Sequence, residues 1–418
     1  MLNGGIQMFS LMNSFREKVG KDKDQRMSQE AVFDVAYATG FLAFDFLNGT
    51  VIHVKTPEKK FKYNSIGIVD GSITMVIGRS GCGKTTWLVQ TAGNIMRRFD
   101  KACVWHDDVE GGIVETRRER LTKLFGNDLR DRYLSRNSGV NTESVYERIK
   151  IIHDLKMENR EEYEYDTGLY TSRGEKIYKL QPSIYILDSL AMLTPDKYTE
   201  EDELSGQMST TAAAKANAQL FRRIVPLLKS ANIMLFVVNH ITQNIDINPM
   251  AKKKAQLSYL KQDESLPGGK TPIYLSNLLI RFDDNTKLKD SEGLGISGNI
   301  VDLSLLKSRT SNVGKSIPLV FDHKRGFDEE LSLLQLLKDM KMVNGAGAYL
   351  YFKDRSDLKF SQKQFKDKLV ESEEFRKVFM ETSLEALEQL IYDPGEEEDI
   401  AGSCDITSGI LDMIKIAA

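Results

Sequence analysis

The sequence predicts an α/β protein: a mostly parallel, twisted sheet covered by helices, with an N-terminal helix before it and a small α+β domain after it. Three observations carry this. Short apolar runs recur between about residues 72 and 327 and alternate with helical patterns, the rhythm of strands joined by crossover helices. A glycine-rich stretch, 78–85, lies where one such run gives way to a helical pattern. After Asp328 the rhythm changes to two helical stretches around a short apolar patch.

Taken in order, Phe9, Met12, Phe15 and Val19 recur at helical spacing, and the polar stretch 21–29 reads as a joint. This arrangement suits either a helix lying on its own core or one docking on a neighbouring subunit. The apolar runs expected as strands are 72–77, 102–105, 184–187, 233–238, 278–281, 301–306 and 317–321. Helical patterns cover 85–98 and 211–229, the second kinked at Pro226. The charged, tyrosine-rich stretch 158–180 is expected as an inserted surface hairpin, and 243–269 as a long polar loop. Helical stretches at 331–342 and 362–390 flank the patch 346–352, and an acidic tail follows. The expected division is 1–38 (N-terminal helical segment for oligomerisation), 39–328 (core), 329–392 (small C-terminal domain) and 393–418 (tail).

Composition narrows the function classes. With 418 residues, 41% hydrophobic and 28% charged, the chain has enough apolar material for a large core. No apolar run approaches the ~18 residues of a membrane-spanning helix, and residues 1–21 lack the order of a signal peptide. Three cysteines make no disulfide framework, which points to a reducing cytoplasm, and five scattered histidines without a CxxC pair argue against structural zinc. A net charge of −3 requires any nucleic-acid contact to use a local patch.

Gly78-Arg79-Ser80-Gly81-Cys82-Gly83-Lys84-Thr85 fits G-x-x-x-x-G-K-[ST] between an expected strand and helix, with Thr86 next in line. Glycines let backbone N–H groups surround phosphate oxygens, and the helix N-terminus favours the anion. Lys84 would reach the β- and γ-phosphates and Thr85 would ligate Mg²⁺. Asp188, ending the apolar run 184–187 and followed by Ser189, would orient the metal through water. After 102–105 comes Asp107-Asp108-Val109-Glu110. Glu110 is the choice to polarise an attacking water, with Asp107 and Asp108 as competitors.

These pieces, in this order, resemble the RecA-type DNA strand-exchange recombinases, and most nearly the phage branch typified by UvsX. The resemblance runs from about Thr39 to Phe327 and weakens beyond. It includes Thr39-Gly40 through Leu47-Asn48-Gly49, Asp108-Val109-Glu110, the segment 188–195, Asn239-His240 closing an apolar strand, a long loop ending on Gly268-Gly269, and Lys307-Ser308-Arg309. The resemblance implies a RecA-like ATPase core using ATP and Mg²⁺, with Glu110 as the catalytic carboxylate. Asn239 or His240 would sense the γ-phosphate. Lys307 and Arg309 would reach into a neighbour's ATP site, both on one face of a strand by alternation over 301–311. It further implies helical filaments on single-stranded DNA, pairing with homologous double-stranded DNA, DNA-dependent ATP hydrolysis, and work beside single-strand-binding and mediator proteins in the cytoplasm (the host's, for a phage protein). A hexameric replicative helicase on the same nucleotide core is the alternative.

The stretch 246–270 carries Lys252, Lys253, Lys254, Lys261 and Lys270 with Tyr259, the cations and aromatic that single-strand binding uses. Gly268 and Gly269 close it. The other loop expected to meet DNA, 196–208, is acidic, so contact there falls to backbone N–H groups and to Gln207 and Ser209. The region 115–121, where the family stacks an aromatic ring on adenine, offers Arg117 and Arg118 instead.

Overall fold

The computed structural model describes residues 35–55, 60–171, 174–196, 206–243, 260–288, 297–346 and 348–394. The expected N-terminal helix and the tail beyond residue 394 lie outside the described residues. Among those described, a nine-stranded sheet forms the centre. In chain order its strands are β1 (Ile73–Gly78), β2 (Val104–Asp108), β3 (Tyr133–Arg136), β4 (Ser183–Asp188), β5 (Ile233–His240), β6 (Leu278–Leu288), β7 (Gly298–Ser308), β8 (Ser316–Asp322) and β9 (Gly326–Asp328). In space they run β9-β8-β7-β6-β1-β5-β4-β2-β3. From β6 to β3 neighbours are parallel, and β7, β8 and β9 continue antiparallel at the other end.

Each of the seven apolar runs is a strand of this sheet, with longer ends than the runs alone show. β5 continues through the polar pair Asn239-His240, and β6 and β7 extend as a polar ribbon. β3 and β9 carry no unbroken apolar run, and periodicity missed both. β3 buries only its first residue, Tyr133.

The principal helices are α1 (Leu42–Leu47), α2 (Lys84–Met96), α3 (Glu115–Thr122), α4 (Thr142–Glu158), α5 (Gly206–Ser230), α6 (Lys270–Leu275), α7 (Glu329–Asp339) and α8 (Glu373–Glu388). Alternation along the strands divides the interior in two. Val76, Ile184, Ile186, Phe236 and Val238 face α2, where Trp87, Leu88 and Ile95 meet them. Met75, Ile77, Tyr185, Leu235 and Val237 face the other way onto Ile149 of α4 and Phe221 and Ile224 of α5. A parallel sheet covered on both faces is why these strands read as continuous apolar runs. α5 runs as one helix through Pro226.

The expected insertion is a two-stranded antiparallel ribbon, Glu164–Tyr170 with Lys176–Leu180, reached through the C-terminal end of α4. It is fastened to the body where Tyr165 Oη donates to Tyr37 Oη at 3.0 Å. After β9, α7 leads into a three-stranded antiparallel sheet (Val343–Ala346, Tyr349–Phe352, Arg355–Phe360), with α8 beyond it. Phe352, Phe360, Phe365, Phe375 and Phe379 pack ring against ring there. They belong to the same contiguous core as α1 and α2.

Where α1 meets α7, two carboxyl groups are turned inward. Asp45 accepts from Thr39 N, Thr39 Oγ1 and Gly40 N, yet burial still lifts it to about 6. Glu329 accepts from Leu42 N at 2.8 Å through Oε1, while Oε2 is buried without a partner. Burial lifts Glu329 to about 8, with Asp45 adding to the shift. A carboxyl raised on folding stabilises the protein below its ordinary pKa of 4.5, and that stability is lost as pH rises through about 8. Glu329→Gln keeps an acceptor for Leu42 N and cannot ionise. Denaturant unfolding is expected to show the variant gaining on the wild type between pH 5 and pH 9 by about 1–3 kcal/mol, one pKa unit being about 1.4 kcal/mol. A gap that stays constant across that range would remove Glu329 from the role.

Candidate functional site

The C-terminal ends of β1, β5, β4 and β2 lie side by side, because parallel pairing sets Gly78 against His240 and Asp188 against Asp108. Chain reversals at that edge put loops there, as in open α/β sheets generally. The glycine-rich stretch leaves β1 at Gly78 and enters α2 at Lys84. Gly83 is the N-cap residue with φ +87°, and Gly81 has φ +84° with open space where a Cβ would stand. Both conformations suit glycine. Arg79, Ser80 and Gly81 are exposed.

Lys84 is buried. Its Nζ donates to Gly78 O at 3.1 Å and Arg79 O at 2.7 Å, and burial lowers its pKa. Thr85 Oγ1 donates to Asp188 Oδ2 at 2.5 Å. Burial raises Asp188 to about 6, against the Thr85 hydrogen bond that holds it down. A hydroxyl and a carboxylate at a loop of open backbone N–H groups are the hard-oxygen donors that suit Mg²⁺ beside phosphates. Cys82 is buried, its thiol donating to Arg79 O at 2.9 Å, and Ser189 is fully buried.

The three acidic candidates after β2 separate cleanly. Asp107 lies on the α4 face, held by Arg148 Nη1 at 2.5 and 2.6 Å and by the Tyr185 hydroxyl. Asp108 lies on the α2 face and accepts from Gly112 N and Ile113 N, both at 3.1 Å. Glu110 stands clear of the strand, 41% exposed, with Oε1 2.7 Å from His240 Nε2. Asn239 is fully buried. Its Oδ1 accepts from His240 N and its Nδ2 donates to Pro267 O, both at 2.9 Å.

The chain has distant relatives among proteins named RecA. One, from Borrelia turicatae, is 19% identical over 355 residues, 81% of this chain and 84% of that protein. One from Desulforapulum autotrophicum is 25% identical over 169 residues, 40% of this chain. One from Halalkalibacterium halodurans is 20% identical over 213 residues, 50% of this chain. The chain spans 44% and 52% of the last two proteins. No family model matches the chain. These matches support membership of the RecA family.

The long loop leaves β5 and returns through a short pairing of Thr242–Gln243 with Glu264–Ser265. Lys252, Lys253, Lys254 and Tyr259 lie outside the described residues. Lys261 and Lys270 are exposed at the returning end. Gly268 and Gly269 both have φ +88°, and a Cβ on Gly268 would come within 2.8 Å of Leu190 Cγ, so the chain returns hard against the segment after β4. Gln207 and Ser209 fall in the first turns of α5; their side chains lie outside the described residues.

β7 stops one residue short of Arg309, so alternation does not relate the two cations, yet they lie close enough that Arg309, after burial, helps to lower the Lys307 pKa. β7 ends at Ser308, and a bulge shifts its register between Leu305 and Lys307. Lys307 Nζ donates to the carbonyls of Ile273 and Tyr274 at the end of α6, at 3.0 and 2.7 Å. Arg309 lines a cavity of about 280 Å³ with Asn48, Ser72, Lys229 and Asn277, at the same end of the sheet as Lys307 and away from Thr85. Of the two arginines on α3, Arg117 touches the loop region, donating to Thr86 Oγ1 at 3.3 Å and His323 O at 3.0 Å. Arg118 lies over the Tyr133 ring at 5.6 Å.

Sequence reasoning missed Arg281. It stands on β6, where Leu278–Phe282 runs beside β1. Its guanidinium grips Glu264 at 2.7 and 2.9 Å and Asp283 at 2.6 Å, so the returning end of the loop is clamped to the sheet. The signal was a lone arginine inside an apolar run, Leu279-Ile280-Arg281-Phe282. Arg281→Met leaves the buried Glu264 carboxylate unpaired and is expected to cost about 3–5 kcal/mol of unfolding free energy. A chemical-denaturation loss below 1 kcal/mol, on the order of an exposed pair, would show that the clamp is not structural.

Proposed function

We propose that the chain is an ATP-dependent DNA recombinase of the RecA type, assembling head to tail on single-stranded DNA, pairing it with homologous duplex and exchanging strands. The observation that carries the reading is a continuous line of hydrogen bonds from Glu110 to His240, from His240 N to Asn239, and from Asn239 to Pro267. It joins the edge bearing Thr85 and Asp188 to the return of the long loop. The relatives named RecA support the same reading, and the resemblance of the residues quoted above to the phage branch is the reason to propose that branch.

In this reading the backbone N–H groups of 78–86 surround the phosphates, and Lys84 exchanges its two loop carbonyls for phosphate oxygens. Thr85, with Asp188 through water, holds Mg²⁺, which neutralises phosphate charge when bound. Glu110 polarises the water, since Asp107 and Asp108 are engaged elsewhere. Arg117 lies where it can stack on the base. His240 and Asn239 pass the state of the site to the loop, an order–disorder element biased by nucleotide. Lys252, Lys253, Lys254, Tyr259, Lys261 and Lys270, with Gly268, Gly269, Gln207 and Ser209, meet DNA. Lys307 and Arg309 serve a neighbouring subunit's site, Lys307 first leaving its carbonyls on α6. Trans contacts of this kind make hydrolysis depend on assembly. Among the described residues no helix is long and apolar enough to cross a membrane, and the proposed location is the cytoplasm.

Glu110→Gln is expected to retain ATP and DNA binding while turnover falls by about 10²–10⁴, the range of a general base. Normal hydrolysis by this variant would remove Glu110 from its role. Electron microscopy of the protein with single-stranded DNA, Mg²⁺ and a non-hydrolysable ATP analogue is expected to show extended helical filaments that vanish in Lys84→Ala. Closed six-fold rings would replace the recombinase with the helicase.

A further inference from the structure

Below the edge that carries Thr85, Asp188 is joined by two donors, His106 and Asp108, that have no role in the proposed hydrolysis. His106 and Asp108 are two apart on β2, so both project to the α2 face, and Asp188 is the direct partner of Asp108 on β4. One ligand atom from each of the three lies within 4.8 Å of the others. All three are buried: His106 is 1% exposed, Asp108 3% and Asp188 3%.

Each residue keeps a donor in reserve. His106 Nδ1 is 2.8 Å from Tyr133 Oη, and Nε2 is buried with no partner. Asp188 gives Oδ2 to Thr85, and Oδ1 is buried with no partner. Asp108 accepts one backbone N–H on each oxygen, which leaves further lone pairs. Lys84 gives its hydrogen bonds to two neutral carbonyls and reaches Asp188 only through its charge. In the tautomer whose Nδ1–H donates to Tyr133, Nε2 turns a lone pair toward two buried carboxylates, of which Asp188 feels the Lys84 charge, and a bound cation offsets the negative charge that remains.

We infer that His106, Asp108 and Asp188 form an inner site for one divalent transition-metal cation, separate from the nucleotide's Mg²⁺. The donor set selects the class. Imidazole nitrogen with two carboxylates suits Mn²⁺, Fe²⁺, Co²⁺ or Zn²⁺, whereas Mg²⁺ prefers oxygen alone and retains its waters. Tyr133 fixes the ring through Nδ1, the outer partner that metal-bound histidines usually have. Asp188 then serves two neighbours, Thr85 on the nucleotide side and the cation on the inner side, so the inner cation holds the carboxylate that the ATP site needs.

The test uses the full chain without nucleotide, titrated with MnCl₂ and followed by electron paramagnetic resonance. One bound Mn²⁺ per chain is expected, with ¹⁴N modulation from imidazole, persisting in tenfold excess Mg²⁺. His106→Phe should lose the bound ion and the modulation with an unchanged circular-dichroism spectrum, and His240→Gln should keep both. No Mn²⁺ bound without nucleotide, bound Mn²⁺ without ¹⁴N modulation, or a signal that survives His106→Phe and disappears in His240→Gln would each overturn the inner site. The wild-type spectrum and that of His240→Gln together decide the matter even if His106→Phe fails to fold.

Discussion

Parallel register is the constraint on which the rest of the site depends. Pairing Asp188 with Asp108 and His240 with Gly78 makes four strands end level, so residues far apart in the chain reach one edge. Because side chains alternate, the same register decides which face each one joins. Asp108, His106 and Asp188 turn toward α2, while Asp107 and Tyr185 turn toward α4 and meet Arg148. A slip of one residue between β2 and β4 would exchange the two sets. The apolar halves of the strands, locked against Trp87 on one side and Phe221 on the other, are what prevent it.

On that frame, charge is handled by pairing rather than exposure. Arg148 neutralises Asp107, Arg281 neutralises Glu264, and Lys84 is held by carbonyls. Two acidic groups at the same edge lack such a partner: burial raises the pKa of Asp188, and Glu110 is tied to a partly exposed histidine. Groups so arranged cluster where chemistry is done. The line from Glu110 to Pro267 crosses three hydrogen bonds and no flexible side chain longer than glutamate.

The sequence was most legible where chemistry and periodicity coincide. The glycine-rich loop, Asp188 and the run ending in Asn239-His240 could be read because each joins an apolar strand to a fixed spacing of polar groups. The 164–180 ribbon was legible because the stretch 158–180 is charged and rich in tyrosine. Pairing partners were not legible. Nothing in the local pattern ties His240 to Glu110, 130 residues away, or Arg281 to Glu264. The relation of Lys307 to Arg309 could not be read from alternation, because the strand ends at Ser308, before Arg309. β3 escaped notice because an edge strand that buries one residue has no period to detect.

The aromatic cluster after β9 has a thermodynamic consequence. Its rings continue the core that holds α1 and α2, and α7 packs both on β8 and on α8. Melting the C-terminal lobe therefore exposes apolar surface belonging to the body that carries the glycine-rich loop, which couples their unfolding. Heat should be absorbed in one calorimetric transition spanning both, with a van't Hoff enthalpy that counts them as a single unit.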